Sequence, residues 1–237
     1  MKKKTPLART LAGLGASALM ASTLAVGFGV TSQPAAADRA CSGTLSRTVV
    51  NDNLYVPAGK SCTLNYTTVK GNVTVARGGT LQTTGGRIGG NIQAQQQRLI
   101  RMTGTTVGGD LQVKRGGTVT TSRLILGGDA QFTEMSGTAS MSWGRIGGNY
   151  QSEKSPKKRI LLREARVNGD VQVKEYGFAV VGRNTVGGNM QIEKNAGSLY
   201  VEGNRIYGDL QCKENRFVPK GGNNVVSGSK EGQCRRL

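Results

Sequence analysis

The chain has 237 residues, with 32 Lys and Arg against 14 Asp and Glu, 36 glycines, five prolines, four cysteines and no histidine. The lack of histidine excludes Ser-His-Asp and Cys-His triads and every histidine-containing zinc site. Aromatic residues make up only 5% of the chain, which argues against base-stacking platforms and specific nucleic-acid recognition.

The first 37 residues have the layout of a secretory signal peptide. A basic segment at positions 2–9 precedes an uncharged stretch at 11–30 that is rich in Ala, Leu and Val. The small residues Ala35 and Ala37 then predict cleavage after Ala37. An uncleaved anchor is the alternative, because about 20 apolar residues can span a bilayer. Cleavage leaves a secreted protein with 28 basic and 14 acidic residues, a net charge of +14.

One repeat accounts for nearly all of the remaining chain. Its pattern is apolar-x-Gly-[Asn/Asp]-apolar-Gln-apolar, as in V-G-G-D-L-Q-V around Asp110, and it recurs every 19–21 residues. Such self-similarity is typical of solenoid architectures. The recurring amide or carboxylate residues are Asn53, Asn72, Asn91, Asp110, Asp129, Asn149, Asp170, Asn189 and Asp209.

Each repeat contains three short apolar segments. Alternation within 110–113 indicates a strand with Leu111 and Val113 on its inner face. A second alternating segment follows at 118–121, and a third apolar residue, Val107, precedes the glycine pair. We therefore predict an all-β fold, a right-handed parallel β-helix (triangular β-solenoid) of about nine rungs of 19–21 residues. It forms a single domain over 38–237.

The glycine before each Asn or Asp forms an unbroken column from Gly71 to Gly228. A corner that needs positive φ, or a close approach of neighbouring backbones, explains such a column. Each rung has too little apolar surface to be stable alone, so its neighbours must bury it.

The cysteines occur as one pair near each end of the repeat array. Cys62 lies 21 residues after Cys41, and Cys234 lies 22 residues after Cys212, which places each pair on adjacent rungs. Adjacent strands lie about 5 Å apart, within disulfide distance. The other two connectivities would join opposite ends of the array. We predict disulfides Cys41–Cys62 and Cys212–Cys234.

The G-[DN]-apolar-x-apolar rungs over roughly 50–228 resemble those of bactofilins, the polymer-forming bacterial β-solenoids. The resemblance implies a small parallel β-helix, and for bactofilins themselves a cytoplasmic protein that assembles end to end. This chain differs from them in its predicted signal peptide, its longer rung and its terminal cysteines. We therefore expect a monomer without end-to-end polymerisation, and lateral association of the rods stays open.

An outward column of seven amides is the most distinctive surface feature. Two interpretations are open. The amides stack and hydrogen-bond to one another along the rod, or they form a face that binds a glycan or another repetitive polymer. This glutamine ladder contains Gln93, Gln112, Gln131, Gln151, Gln172, Gln191 and Gln211.

The Asn/Asp column suggests calcium, but five of its nine members are neutral and the period differs from that of calcium-binding β-rolls. Turn capping is the favoured interpretation. We predict no metal and no other cofactor.

Basic residues concentrate around the irregular repeats at 133–166, and a second set precedes the third inward position. One interpretation is that these are solvated surface residues that prevent aggregation. The net charge instead favours polyanions: wall teichoic acids, anionic lipid headgroups, uronic-acid polysaccharides or extracellular DNA. The predicted polyanion-binding residues are Lys154, Lys157, Lys158, Arg159, Arg163, Arg166, Arg87, Arg145 and Arg205.

The sequence thus favours a secreted, non-catalytic binding or structural element that contacts anionic cell-wall or extracellular polysaccharide. The alternative is a small polysaccharide-active enzyme, lyase-like by analogy of fold, with its site at 133–166. No facing pair of carboxylates is apparent in the sequence, so no catalytic residue is assigned.

Overall fold

The computed structural model describes residues 38–237, and the predicted signal peptide lies outside this range. The described residues form 31 strands and no helix, arranged in three parallel sheets of 11, 10 and 10 strands. Each turn of chain contributes one strand to each sheet, so about ten turns stack. The predicted all-β solenoid is confirmed, with one turn more than expected. Accordingly, residues 38–237 contain no helix of the length and apolarity needed to cross a membrane.

The strand bounds follow the repeat. Sheet 1 contains β1 (Arg39–Ala40), β4 (Leu54–Val56), β7 (Val73–Val75), β10 (Ile92–Gln95), β13 (Leu111–Lys114), β16 (Ala130–Thr133), β19 (Tyr150–Glu153), β22 (Val171–Lys174), β25 (Met190–Glu193), β28 (Leu210–Lys213) and β31 (Lys230–Gly232). Sheet 2 contains β2 (Thr44–Ser46), β5 (Ser61–Asn65), β8 (Thr80–Thr84), β11 (Leu99–Thr103), β14 (Thr118–Ser122), β17 (Ala139–Ser142), β20 (Ser155–Arg163), β23 (Tyr176–Gly182), β26 (Ser198–Glu202) and β29 (Lys220–Gly222). Sheet 3 contains β3 (Val49–Val50), β6 (Thr68–Val69), β9 (Arg87–Ile88), β12 (Thr106–Val107), β15 (Ile125–Leu126), β18 (Arg145–Ile146), β21 (Arg166–Val167), β24 (Thr185–Val186), β27 (Arg205–Ile206) and β30 (Val225–Val226).

The core is a set of stacked columns enclosed by the three sheets. Leu111 pairs with Ile92 below it and Ala130 above it, and all three side chains are fully buried. Val113 is also buried, as its alternation with Gln112 predicts. Because each turn presents its apolar residues to the next, burial depends on stacking rather than on any single turn.

Close backbone approach, not positive φ, explains the glycines at the corner between sheets 3 and 1. A Cβ on Gly108 would lie 2.3 Å from the carbonyl oxygen of Gly89 in the turn below. A Cβ on Gly109 would lie 1.9 Å from Asn91 Oδ1. Neither glycine has positive φ. Of the two explanations that the sequence analysis offered, close backbone approach is therefore the correct one at this corner.

The left-handed backbone conformation occurs at the other two corners, and mostly in residues other than glycine. Between sheets 1 and 2 it is adopted by Arg115 and Lys194, and between sheets 2 and 3 by Arg123 and Trp143. Such a conformation costs roughly 1–2 kcal/mol for an L-residue. The stacked turns above and below impose it.

The two predicted disulfides are confirmed. Cys41 and Cys62 have Cα atoms 5.4 Å apart, and Cys212 and Cys234 have Cα atoms 5.2 Å apart. Cys62 lies opposite Leu81 in the next strand, so it occupies the expected inward column. Each bridge therefore joins two adjacent turns near one end of the array.

Within the irregular segment at 133–166, the inserted residues lie in one long, bulged strand. Strand β20 has nine residues, and its pairing with β23 shifts register between Ser155 and Arg159. The extra residues, including Lys157 and Lys158, lie in this bulge. The insertion thus widens the turn without building the walls of a cleft.

Candidate binding surfaces

The glutamine ladder lies in register on the outer face of sheet 1. Gln93 pairs with Gln112 and Gln112 with Gln131, and the register continues through the other four members. Within residues 38–237 no hydrogen bond joins two ladder glutamines, and Gln112 Nε2 donates only to Asp110 Oδ2, at 3.4 Å. The bonds along the rod that amide stacking would provide are not formed among these residues. Gln93 is exposed, and the other six ladder glutamines are partly exposed.

The Asn/Asp column, in contrast, does form a hydrogen-bonded ladder. Asn91 Oδ1 accepts the backbone N–H of Asp110 at 2.8 Å, and Asp110 Oδ1 accepts that of Asp129 at 2.8 Å. The same bond recurs up to Asp209, whose Oδ1 accepts the N–H of Ser229. These side chains connect successive corners, as turn capping predicts. The described residues hold no cluster of three or more Cys, Asp or Glu suited to a metal ion.

The nine predicted polyanion-binding residues lie on two different faces of the solenoid, because each turn of chain passes through all three sheets. Lys157, Lys158, Arg159 and Arg163 belong to β20 on sheet 2. Lys154 lies at the corner before that strand. We call the four residues of β20 the sheet-2 basic patch.

The other four arginines form a column on sheet 3. Arg145 and Arg166 are direct neighbours across strands β18 and β21. Thr185 separates Arg166 from Arg205, and two turns separate Arg87 from Arg145. All four are exposed. Only the Arg145–Arg166 pair therefore concentrates charge on this face.

Two acidic residues close to the sheet-2 basic patch form ion pairs with cations outside the patch. Glu153 lies 3.5 Å from Lys154, and Glu164 lies 3.4 Å from Arg183. Within residues 38–237 no ion pair involves any of the four patch residues. Glu202 lines the same small depression as Arg163 but forms no ion pair within residues 38–237. The excess positive charge is therefore concentrated at Lys157, Lys158 and Arg159.

An aromatic strip beside this patch was not predicted from the sequence. The Arg159 guanidinium lies 4.7 Å from the centre of the Phe178 ring, and the Phe178 and Tyr200 rings are 6.0 Å apart. Both rings are half-buried on the outer face of sheet 2, next to Leu161 and Val180. The alternation of inward and outward residues in the sequences of β23 and β26 could have predicted that these rings face outward. Their adjacency to Arg159 follows from the bulge.

Two tyrosines, Tyr150 and Tyr176, are fully buried in the interior. The Tyr176 hydroxyl lies 2.6 Å from Ser152 Oγ, whereas the Tyr150 hydroxyl has no hydrogen-bond partner. Burial raises the pKa of Tyr150 well above its usual value, and it also raises the pKa of Tyr176. These groups are enclosed by the sheets and are not accessible as a site.

The carboxylates at 133–166 are engaged in ion pairs rather than facing one another. Glu134 lies 3.5 Å from Arg115, while Glu153 and Glu164 contact Lys154 and Arg183. Glycoside hydrolysis typically needs two carboxyl groups on opposite sides of a bound sugar. No observation in this segment favours the enzymatic alternative.

The fold and its surfaces define a parallel β-solenoid with two disulfides, a feature typical of proteins in oxidising compartments. Comparisons of the chain with protein-family models, curated proteins and solved structures find no significant match. The resemblance to bactofilins therefore rests on the rung pattern alone.

Proposed function

We propose that the protein is a secreted, non-catalytic β-solenoid that binds anionic cell-wall or extracellular polymers through its basic faces. The observation that supports this most is the sheet-2 basic patch, four cations of one strand that form no ion pair within residues 38–237. The disulfides and the predicted signal peptide support an extracellular location. Phe178 and Tyr200 add flat apolar surface on which sugar rings can stack.

Binding of the purified protein to immobilised polyanions tests this proposal. We expect affinity for polygalacturonate and polyphosphate to fall steeply as salt rises from about 50 to 200 mM, because neutralising a polyanion releases counterions. The variant K157Q/K158Q/R159Q should weaken binding about tenfold or more.

A charge-matched control separates the patch from net charge. The variant K174Q/K194Q/K213Q also removes three positive charges, but the structure pairs each of these cations with a glutamate away from the patch. It should retain most of the affinity. Equal losses in the two variants, or binding that is insensitive to salt, would contradict the proposal. Release of shortened sugar products would favour the enzymatic alternative.

A further inference from the structure

A groove runs along the N-terminal half of the glutamine ladder. It has a volume of about 660 Å³ and crosses four successive turns of sheet 1, from Thr74 in β7 to Thr133 in β16. Gln93, Gln112 and Gln131 of the ladder line it, together with Gln95 and Gln96. It is a shallow depression, open to solvent along its length, rather than an enclosed cavity. We call it the amide groove.

The side chains of the amide groove have unused hydrogen-bonding capacity. A primary amide offers two donors and an acceptor with two lone pairs. Of the five glutamines only Gln112 makes a side-chain hydrogen bond within residues 38–237, to Asp110. Asp110 itself is engaged through Oδ1 by the backbone N–H of Asp129. The groove therefore presents alternating donors and acceptors to whatever occupies it.

The charge at this groove differs from the charge along the rest of the ladder. Arg77 and Lys114 line the groove, and neither takes part in an ion pair within residues 38–237. Next to the C-terminal half of the ladder, Lys174 pairs with Glu193 at 3.1 Å and Lys213 with Glu231 at 3.9 Å. The acidic residues that precede Glu134 number only four, namely Asp38, Asp52, Asp110 and Asp129. Two cations that form no ion pair thus line the groove, and Asp110 is the acid that contacts its glutamines.

We propose that the amide groove binds a short segment of an acidic polysaccharide, with its sugar units along the rod axis. The turns repeat every ~4.8 Å, a distance comparable to the length of one pyranose unit. Hydroxyl groups donate and accept hydrogen bonds and so match amides, while a uronate carboxylate matches Arg77 and Lys114. A polyphosphate offers only acceptors and would use the two cations alone. This inference rests on the proposed function and names its ligand class.

The test uses two triple variants of the same column. Thr74 occupies the ladder position in β7, so threonine is compatible with this site. The variant Q93T/Q112T/Q131T removes the three ladder amides of the groove, and Q172T/Q191T/Q211T makes the same change outside the groove. Both should keep the thermal stability of the unaltered protein, because the side chains lie on the outer face.

Binding of a labelled oligogalacturonate and of a polyphosphate of similar length is then measured for each protein. We expect the groove variant to lose about tenfold affinity for the oligogalacturonate, as several hydrogen bonds are lost, and to keep its affinity for polyphosphate. The control variant should keep both affinities. The assignment would be overturned if the two triple variants had equal affinities for the oligogalacturonate, or if the groove variant lost equal affinity for both ligands.

The basic-patch variant K157Q/K158Q/R159Q distinguishes failure of this inference from failure of the proposed function. If that variant loses polyanion binding while the groove variant binds like the unaltered protein, only the groove assignment is wrong. If the unaltered protein binds neither ligand at low salt, both proposals are wrong.

Discussion

Asn204 Oδ1 accepts two hydrogen bonds from Asn184, one from its backbone N–H and one from its Nδ2, both at 3.0 Å. Asn204 Nδ2 in turn donates to the carbonyl oxygen of Val181 and to Asn224 Oδ1, each at 2.9 Å. All of these atoms are buried, and a second ladder of the same kind links Asn195 to Asn215. The C-terminal turns are thus joined by internal amide ladders that the N-terminal turns lack.

Replacement of Asn204 by leucine should lower the free energy of unfolding by about 3 kcal/mol or more, because it leaves the buried donors of Asn184 without an acceptor. The exposed Asn72, which accepts one backbone N–H at 2.8 Å, provides the control. Asn72→Leu should cost about 1 kcal/mol, since water can replace its bonds. Urea unfolding measures both. Similar costs would show that the internal ladder contributes no more than the external one.

The steric role of the corner glycines is tested at Gly108. Gly108→Ala places a Cβ against the Gly89 carbonyl oxygen, which is backbone and cannot rotate away, so we expect a loss of about 2 kcal/mol or more. Gly43→Ala meets nothing within 4 Å and has ordinary φ, and should leave stability nearly unchanged. Thermal unfolding compares the two. An unaffected Gly108→Ala protein would contradict the close packing of successive corners.

The buried tyrosines make stability depend on alkaline pH. In the unfolded chain a tyrosine ionises near pH 10, whereas burial holds the folded pKa of Tyr150 and Tyr176 higher. The unfolded state then binds fewer protons, so stability is complete below about pH 10 and falls as the pH rises further. Tyr150→Phe should reduce this fall. Because its hydroxyl has no partner, the variant should be at least as stable as the unaltered protein at neutral pH.

The unfolding free energy of the unaltered protein and of the Tyr150→Phe variant is measured at about pH 8 and at about pH 11, and the loss between the two pH values is compared. Every other ionisable group is common to both proteins, so its contribution cancels in the difference. An equal alkaline loss in the two proteins would show that Tyr150 ionises as readily in the folded state as in the unfolded chain.

Removal of the Cys41–Cys62 bridge, in the double variant C41S/C62S, should cost about 2–4 kcal/mol, because the bridge restricts the unfolded chain. Treatment of the unaltered protein with a reductant should give a similar loss for each bridge. Peptide mapping without reduction should recover the 41–62 and 212–234 linkages. A 41–234 linkage would contradict the register of the solenoid itself.

The fold was accessible from the sequence because its signal is periodic. The alternation around Leu111 and Val113 and the recurrence of Gly-Asn or Gly-Asp predicted three strands per turn, and the cysteine spacing predicted both bridges. The internal ladder of Asn184, Asn204 and Asn224 also recurs every 20 residues. The sequence did not predict this ladder, because asparagine next to a corner is typical of an exposed turn. These asparagines are buried only because the three sheets enclose them.

The sequence by itself determined which residues stack, since a repeat of nearly constant length permits one register only. What the tertiary structure decided is which charges and rings meet across the surface. The bulge at β20 brings Arg159 over Phe178. Beside the glutamine ladder, Lys174 and Lys213 form ion pairs whereas Arg77 and Lys114 do not. Such contacts depend on side-chain positions in neighbouring turns, about twenty residues apart in the chain, which the periodicity of one turn does not specify.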